Sequence, residues 1–192
     1  TVWKEVWEKD NRTVDVAQKA VEAGMALTAP RTDWAEEPLK VATWNIQYLA
    51  KKPSWKEFRL PAIYALLNDY EFDVFGSQEP YLPQIEDIME GVSDKYAWVG
   101  ECTGDKESRK THYNPIFYRK DRLELLETGT VPYSETKGTI GFGAMYARAC
   151  TWAKFMDRKT GKIFYFFNSH FDHQGVEARE VSAEILVSAV RR

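Results

Sequence analysis

Asn168, Ser169, His170, Asp172 and His173 fall within six positions, directly after the aromatic run Phe164–Phe167. Two of the chain's three histidines lie in this cluster. Imidazoles and a carboxylate this close together can bind a metal or move a proton. Zinc fits least well: His170 and His173 have the spacing of helix-borne ligands but follow a strand-like run, and no Cys or Glu co-ligand pattern accompanies them. Two other apolar runs also end in polar groups, "VATW" delivering Asn45 and "DVFGSQ" delivering Glu79. Near-continuous apolar strands are buried on both faces, so their polar tips emerge where the chain leaves the sheet. An amide, a carboxylate and an imidazole at one rim would make a metal-assisted hydrolytic site. Taken singly, each has a plainer reading, Asn45 as a turn former and Glu79 as a solvated loop residue before Pro80.

These tips need elements to hold them. "KVATWN" reads as a strand ending at Asn45, followed by a helix from near Phe58 with Pro61 in its first turn and Ile63, Leu66 and Leu67 facing the core. "FDVFGSQEP" reads as a strand ending at Glu79, and Pro83–Met89 as a short helix stopped by Gly91. "NPIFYRKDRLELLETGTV" reads as a strand pair, and "CTWAKFMDRKTGKIFYFFNSH" as a hairpin turning at Thr160–Gly161. "IFYFF" is expected to be a central strand. A last helix spans Val176–Arg192, with Val181, Ile185, Leu186 and Ala189 on one stripe. Residues 1–38 stand apart: an amphipathic pattern over Thr13–Leu27 and the linker "TAPRTDWAEEP" make a helical arm without evident chemistry. Residues 39–192 then form one α/β (α+β) domain with a layered core.

The 192 residues carry a net charge of −3, which argues against coating long duplex nucleic acid but leaves room for a local grip on one phosphate. Cys102 and Cys150 form neither a metal spacing nor a disulfide framework, and a single bridge between them stays open. The longest apolar run is shorter than a membrane span. The chain starts at Thr1, so a signal peptide, tag or further domain is expected to have preceded it. Export is thus one option for an undetermined location. The final helix ends at Arg192 without a stop signal, which points to truncation there.

"TWNIQ", "FGSQEP", "NPIFYRKDRLELLETGTVPYSET", "RACTWAKFMDRKTGK" and "FNSHFDHQGVEAR" occur in that order from about Lys40 onward. Together they resemble the endonuclease/exonuclease/phosphatase superfamily, the deoxyribonuclease-I-like fold, most of all its bacterial branch of loosely characterised hydrolases. The resemblance implies a four-layer α/β/β/α sandwich, incomplete here at the C-terminus, and Mg²⁺- or Mn²⁺-dependent hydrolysis of phosphate esters. It implies a catalytic set of His170, Asn45 and Glu79. Glu79 would bind the metal with Asn45 beside it, and His170 would contact the scissile phosphate. Arg148, Asn168, Asp172, His173 and Arg179 would serve the phosphate side. The family's G-D-x-N aspartate, which activates water, has no counterpart, for the sequence contains no Asp-x-Asn. Its distal S-D-H is missing too, and "GTIGFGAMYAR" has Gly143 where relatives carry an acidic residue.

The reading is therefore a phosphodiesterase or phosphatase acting on a phosphorylated small molecule or phosphodiester, with this chain inactive by itself. The alternative is a non-catalytic domain of the same fold that binds a phosphorylated ligand or a protein. A third reading, a structural α/β module whose polar tips are turns, sits poorly with five ordered motifs. Tyr48, Trp55 and Tyr81 either stack on a base or sugar or pack at the rim.

Overall fold

The computed structural model describes residues 38–48, 55–104 and 111–191. The helical arm expected over residues 1–38 lies outside these, Pro38 apart.

Strand β1 (Val41–Asn45) runs parallel to β2 (Val74–Gln78), in the register Val41 to Val74 through Asn45 to Gln78. A π-helical turn over Trp55–Arg59 leads into helix α1 (Leu60–Tyr70) of the crossover between them. Helix α2 (Leu82–Val92), β3 (Tyr96–Val99) and β4 (Ile116–Arg119) follow. They complete a sheet in the order β1-β2-β4-β3. Strands β5 (Leu123–Pro132), β6 (Ala149–Asp157) and β7 (Ile163–Ser169) form a second, antiparallel sheet before helix α3 (Val176–Val190).

Residues of β2 alternate between two cores, as the two-residue strand period requires. Phe75 packs with Phe117 and with Ile63, Leu67, Ile85 and Ile88 of α1 and α2. Its neighbour Val74 packs with Ile116 and with Leu123, Ala153 and Phe155 of the second sheet. All five residues of β2 are buried in consequence. On α1, Ile63 and Leu67, four residues apart, face the sheet, whereas Leu66 points away and is 41% exposed, contrary to the sequence reading.

Three further expectations change. Gly91 does not end a helix; it lies inside α2, where a Cβ would come 2.5 Å from the Tyr64 ring, so it permits close approach to α1. Strands β4 and β5 do not pair, because β4 is already flanked by β2 and β3. The chain instead crosses between sheets at Arg122, whose Nε donates 2.9 Å to Asp157 Oδ1 in a buried ion pair. Strand β7 is not central: β6 is, with Cys150, Thr151, Ala153 and Phe155 at most 2% exposed. Strand β7 turns Phe164 and Phe166 into the inter-sheet core and leaves Ile163 and Tyr165 more than half exposed. The β6–β7 hairpin turns at Thr160–Gly161, as read from sequence. Cys102 and Cys150 are both buried, and no disulfide joins them. Among the described residues no helix is long and apolar enough to cross a membrane.

Candidate active site

The parallel register of β1 on β2 sets Asn45 opposite Gln78, next to Glu79 where the chain leaves β2. Asn45 Nδ2 donates 2.7 Å to Glu79 Oε1, and Tyr48 N approaches Glu79 Oε2 at 3.4 Å. Gln47 N donates 2.8 Å to Asn45 Oδ1, so both ends of the amide are engaged. Gln47 and Glu79 have φ of 60° and 73°, left-handed values that side chains seldom adopt. Each costs of order 1–3 kcal/mol, and such strain gathers where a side chain must be aimed.

From the second sheet come Arg148, just before β6, and His170, just after β7. Arg148 is 5% exposed and its three guanidinium nitrogens all face protein groups. Nε donates to Asp172 Oδ2 at 3.3 Å, Nη1 lies 3.0 Å from His170 Nδ1, and Nη2 lies 3.4 Å from His173 Nδ1. Asp172 also accepts from the backbone N–H groups of Met145 at 3.0 Å and of Gln174 and Gly175 at 2.9 Å each. Burial alone would raise its pKa; these donors and the Arg148 charge outweigh burial and hold it far below the usual carboxylate range. The His170 pKa falls to about 4, first through burial and then through Arg148, against an opposing pull from Glu79. His170 is therefore neutral at pH 7, with Nε2 3.8 Å from Glu79 Oε1.

Glu79, Arg148, His170 and His173 line one cleft of about 340 Å³, and Tyr48, Tyr81, His112 and Tyr146 line it with them. The ring centroids of Tyr48, Tyr81 and His112 are 5.4–5.6 Å apart, and Tyr146 lies 6.0 Å from His112 and 6.2 Å from His173. Sequence reasoning missed His112 and Tyr146. His112 belongs to no motif, and only the fold brings it here. Tyr146 stands two residues before Arg148, in the loop that leads into β6, and no pattern in the sequence marks it.

No family model matches the chain, and no curated protein does. Solved structures do. A Bacteroides vulgatus endonuclease/exonuclease/phosphatase is 34% identical, with a TM-score of 0.71 over 80% of this chain and 60% of that one. A Bacteroides thetaiotaomicron mannosyl-6-phosphatase is 32% identical, with a TM-score of 0.73 over 80% of this chain and 59% of that one. The fold is that of the endonuclease/exonuclease/phosphatase superfamily. The human Nocturnin catalytic domain, 17% identical with a TM-score of 0.66 over 80% of this chain and 58% of that one, shares the fold. The chain spans about three-fifths of the length of the Bacteroides structures.

Not every residue matched to the superfamily's motifs reaches the cleft. Asn168 does not: it is 3% exposed and pins the two sheets together. Its Nδ2 donates 2.8 Å to both Ser77 O and Pro115 O, and Gln78 Nε2 donates 2.6 Å to its Oδ1. On β7 it continues the inward series of Phe164 and Phe166, which is why it cannot meet phosphate. Arg179 Nη1 donates 3.1 Å to Asp172 O, binding α3 to the preceding loop rather than lining the cleft. Trp55 is buried, with Nε1 donating 2.8 Å to Asp87 Oδ2, so it offers no stacking face.

Glu79 is the one carboxylate among the described cleft residues, and among them no group of three or more His, Cys, Asp or Glu could hold a metal. A single hard oxygen donor fits a cation that keeps most of its water shell, as Mg²⁺ and Mn²⁺ do, and does not fit an all-protein zinc cage.

Proposed function

We propose that the cleft is a Mg²⁺- or Mn²⁺-dependent phosphoester hydrolase site for a phosphorylated small molecule. The observation that carries this is the approach of His170 Nε2 to within 3.8 Å of Glu79 Oε1, across the gap between the two sheets. The phosphatase named among the structural relatives supports it.

Glu79 would hold the cation, and Asn45, whose amide is committed at both ends, would orient the carboxylate. When bound, the cation supplies Lewis-acid polarisation of a phosphoryl oxygen. His170 donates Nε2–H to an oxygen whose negative charge grows in the transition state. Arg148 adds a fixed positive charge behind the imidazoles. No second carboxylate lines the described cleft, so these residues bind and polarise the ester while the group that activates water lies elsewhere. That same feature favours a second reading, a phosphate-ester-binding domain without turnover.

Calorimetric titration with Mg²⁺ and Mn²⁺ tests the site. The expected result is weak binding that Glu79→Gln abolishes; equal affinity in both proteins removes Glu79 from the metal. Assays with p-nitrophenyl phosphate and bis-(p-nitrophenyl) phosphate separate the readings: metal-dependent turnover lost in Glu79→Gln establishes hydrolysis, and its absence beside intact phosphate binding favours the binding domain.

A further inference from the structure

The catalytic reading uses Glu79, Arg148 and His170 and gives no task to His112. All three of the chain's histidines, His112, His170 and His173, line the one cleft. His170 and His173 each turn Nδ1 toward Arg148. His112 reaches the same space from the first sheet, in the segment that leads into β4. We propose that His112 is a substrate-contacting residue whose imidazole donates a hydrogen bond to the phosphoryl group of the bound ester; this rests on the phosphate-binding reading of the cleft.

Three observations lead there. First, the His112 backbone is built into the wall beside Glu79. His112 O accepts from Thr103 N at 2.8 Å and from Thr103 Oγ1 at 3.1 Å. The next residue, Tyr113, donates its N–H at 2.9 Å to the carbonyl of Pro80, which follows Glu79 in the chain. Two residues further on, Pro115 O accepts from Ser77 N at 3.0 Å. The segment thus runs along the exit of β2, and the imidazole is fixed relative to the Glu79 carboxylate.

Second, the ring is held while its nitrogens are free. The Tyr81 ring is stacked on it at 5.4 Å between centroids, and the Tyr48 centroid lies at the same distance. Stacking engages a ring's face and leaves the nitrogens at its edge available. Neither nitrogen has a hydrogen-bond partner among the described residues. A donor fixed before its ligand arrives loses little freedom on binding it.

Third, the charges that act on His112 are those of the phosphate end. Burial lowers its pKa, Glu79 opposes burial and Arg148 adds to it, and His112 in turn acts on His170. A neutral imidazole has one N–H donor and one acceptor. An ionised phosphoryl group offers only acceptor oxygens, so the donor nitrogen is the one that faces it. His170 comes from the second sheet and His112 from the first, so the two imidazoles grip one phosphoryl group across the gap between the sheets.

The test separates the nitrogens from the ring. His112→Phe keeps a stacking ring and removes both nitrogens, whereas His112→Gln removes the ring and keeps an N–H donor. Mg²⁺ alone, and then inorganic phosphate in the presence of Mg²⁺, are titrated by calorimetry into the 192-residue chain and into each variant. Phosphate should bind His112→Phe about tenfold more weakly than the unaltered chain, as the loss of one hydrogen bond to a charged group implies. His112→Gln should keep more of the affinity, and Mg²⁺ alone should bind all three proteins equally. Unchanged phosphate affinity in His112→Phe, or weaker binding by His112→Gln than by His112→Phe, overturns the proposal and makes His112 a packing residue. A matching loss of Mg²⁺ affinity in His112→Phe also overturns it, because His112 would then act through Glu79. Failure of phosphate to bind the unaltered chain overturns the phosphate site itself, and the His112 contact with it.

Discussion

Arg148 Nη1 stands 3.0 Å from His170 Nδ1. A guanidinium has donors and no acceptor, and it stays charged at any pH of interest. The imidazole nitrogen facing it must therefore accept, which leaves the proton of neutral His170 on Nε2, the nitrogen turned toward Glu79. The arginine that the motif assigns to phosphate is spent on protein partners, and it acts by presetting the histidine as a donor.

Nitrogen-15 NMR reads this tautomer directly. At pH 7 His170 should show a protonated Nε2 and an unprotonated Nδ1, and Arg148→Met should produce a mixture of the two forms. A dominant Nδ1–H signal in the unaltered chain would sink the argument. His173, at 3.4 Å from Arg148 Nη2, should show the same preference more weakly.

Asp172 is 1% exposed and joins Arg148 to the loop before α3. Replacing it with alanine strands a buried guanidinium and three backbone donors. The expected loss is about 3–5 kcal/mol in urea unfolding. A loss below 1 kcal/mol would show that water replaces the carboxylate at little cost.

Gly76 leaves room for Asn168, since a Cβ there would lie 2.6 Å from the Asn168 side-chain carbonyl atoms. Gly76→Ala should cost roughly 1–3 kcal/mol by overpacking. Asn168→Ala should cost at least as much, because Ser77 O and Pro115 O lose their donor in a buried place. The double variant should cost less than the sum, since with Asn168 shortened the new methyl no longer clashes. Additive losses would rule out this contact as the cause.

Asp157 gives the pH dependence a defined sign. Burial would raise its pKa; the Arg122 hydrogen bond, the Lys159 N–H and the Thr160 hydroxyl outweigh burial and lower it from 3.8. A folded pKa below the unfolded one means that the native state binds fewer protons. The contribution is complete above the unfolded value and is lost as pH falls through the folded one. Urea midpoints measured from pH 7 to pH 3 should drop less in Asp157→Asn than in the unaltered chain. Parallel curves would dismiss the pair as a source of acid sensitivity.

The chain alone determined the element types around the site and three of its groups. Apolar runs ending at Asn45, Glu79 and His170 were legible because a strand's interior and its exit differ so sharply in chemistry. The turn at Thr160–Gly161 was legible for the same local reason. Only tertiary structure decided which strand is central, because strand order follows from pairing partners far away in sequence, and "IFYFF" looks alike at an edge and in the middle. It also decided the fate of neighbours in one motif. Asn168 and His170 differ by two positions, yet one is sealed between the sheets by Gly76 and Gln78, and the other emerges into the cleft. His112 and Tyr146 joined the site through loops with no pattern of their own. What placed them there is the meeting of two sheets, a long-range packing event that no local spacing encodes.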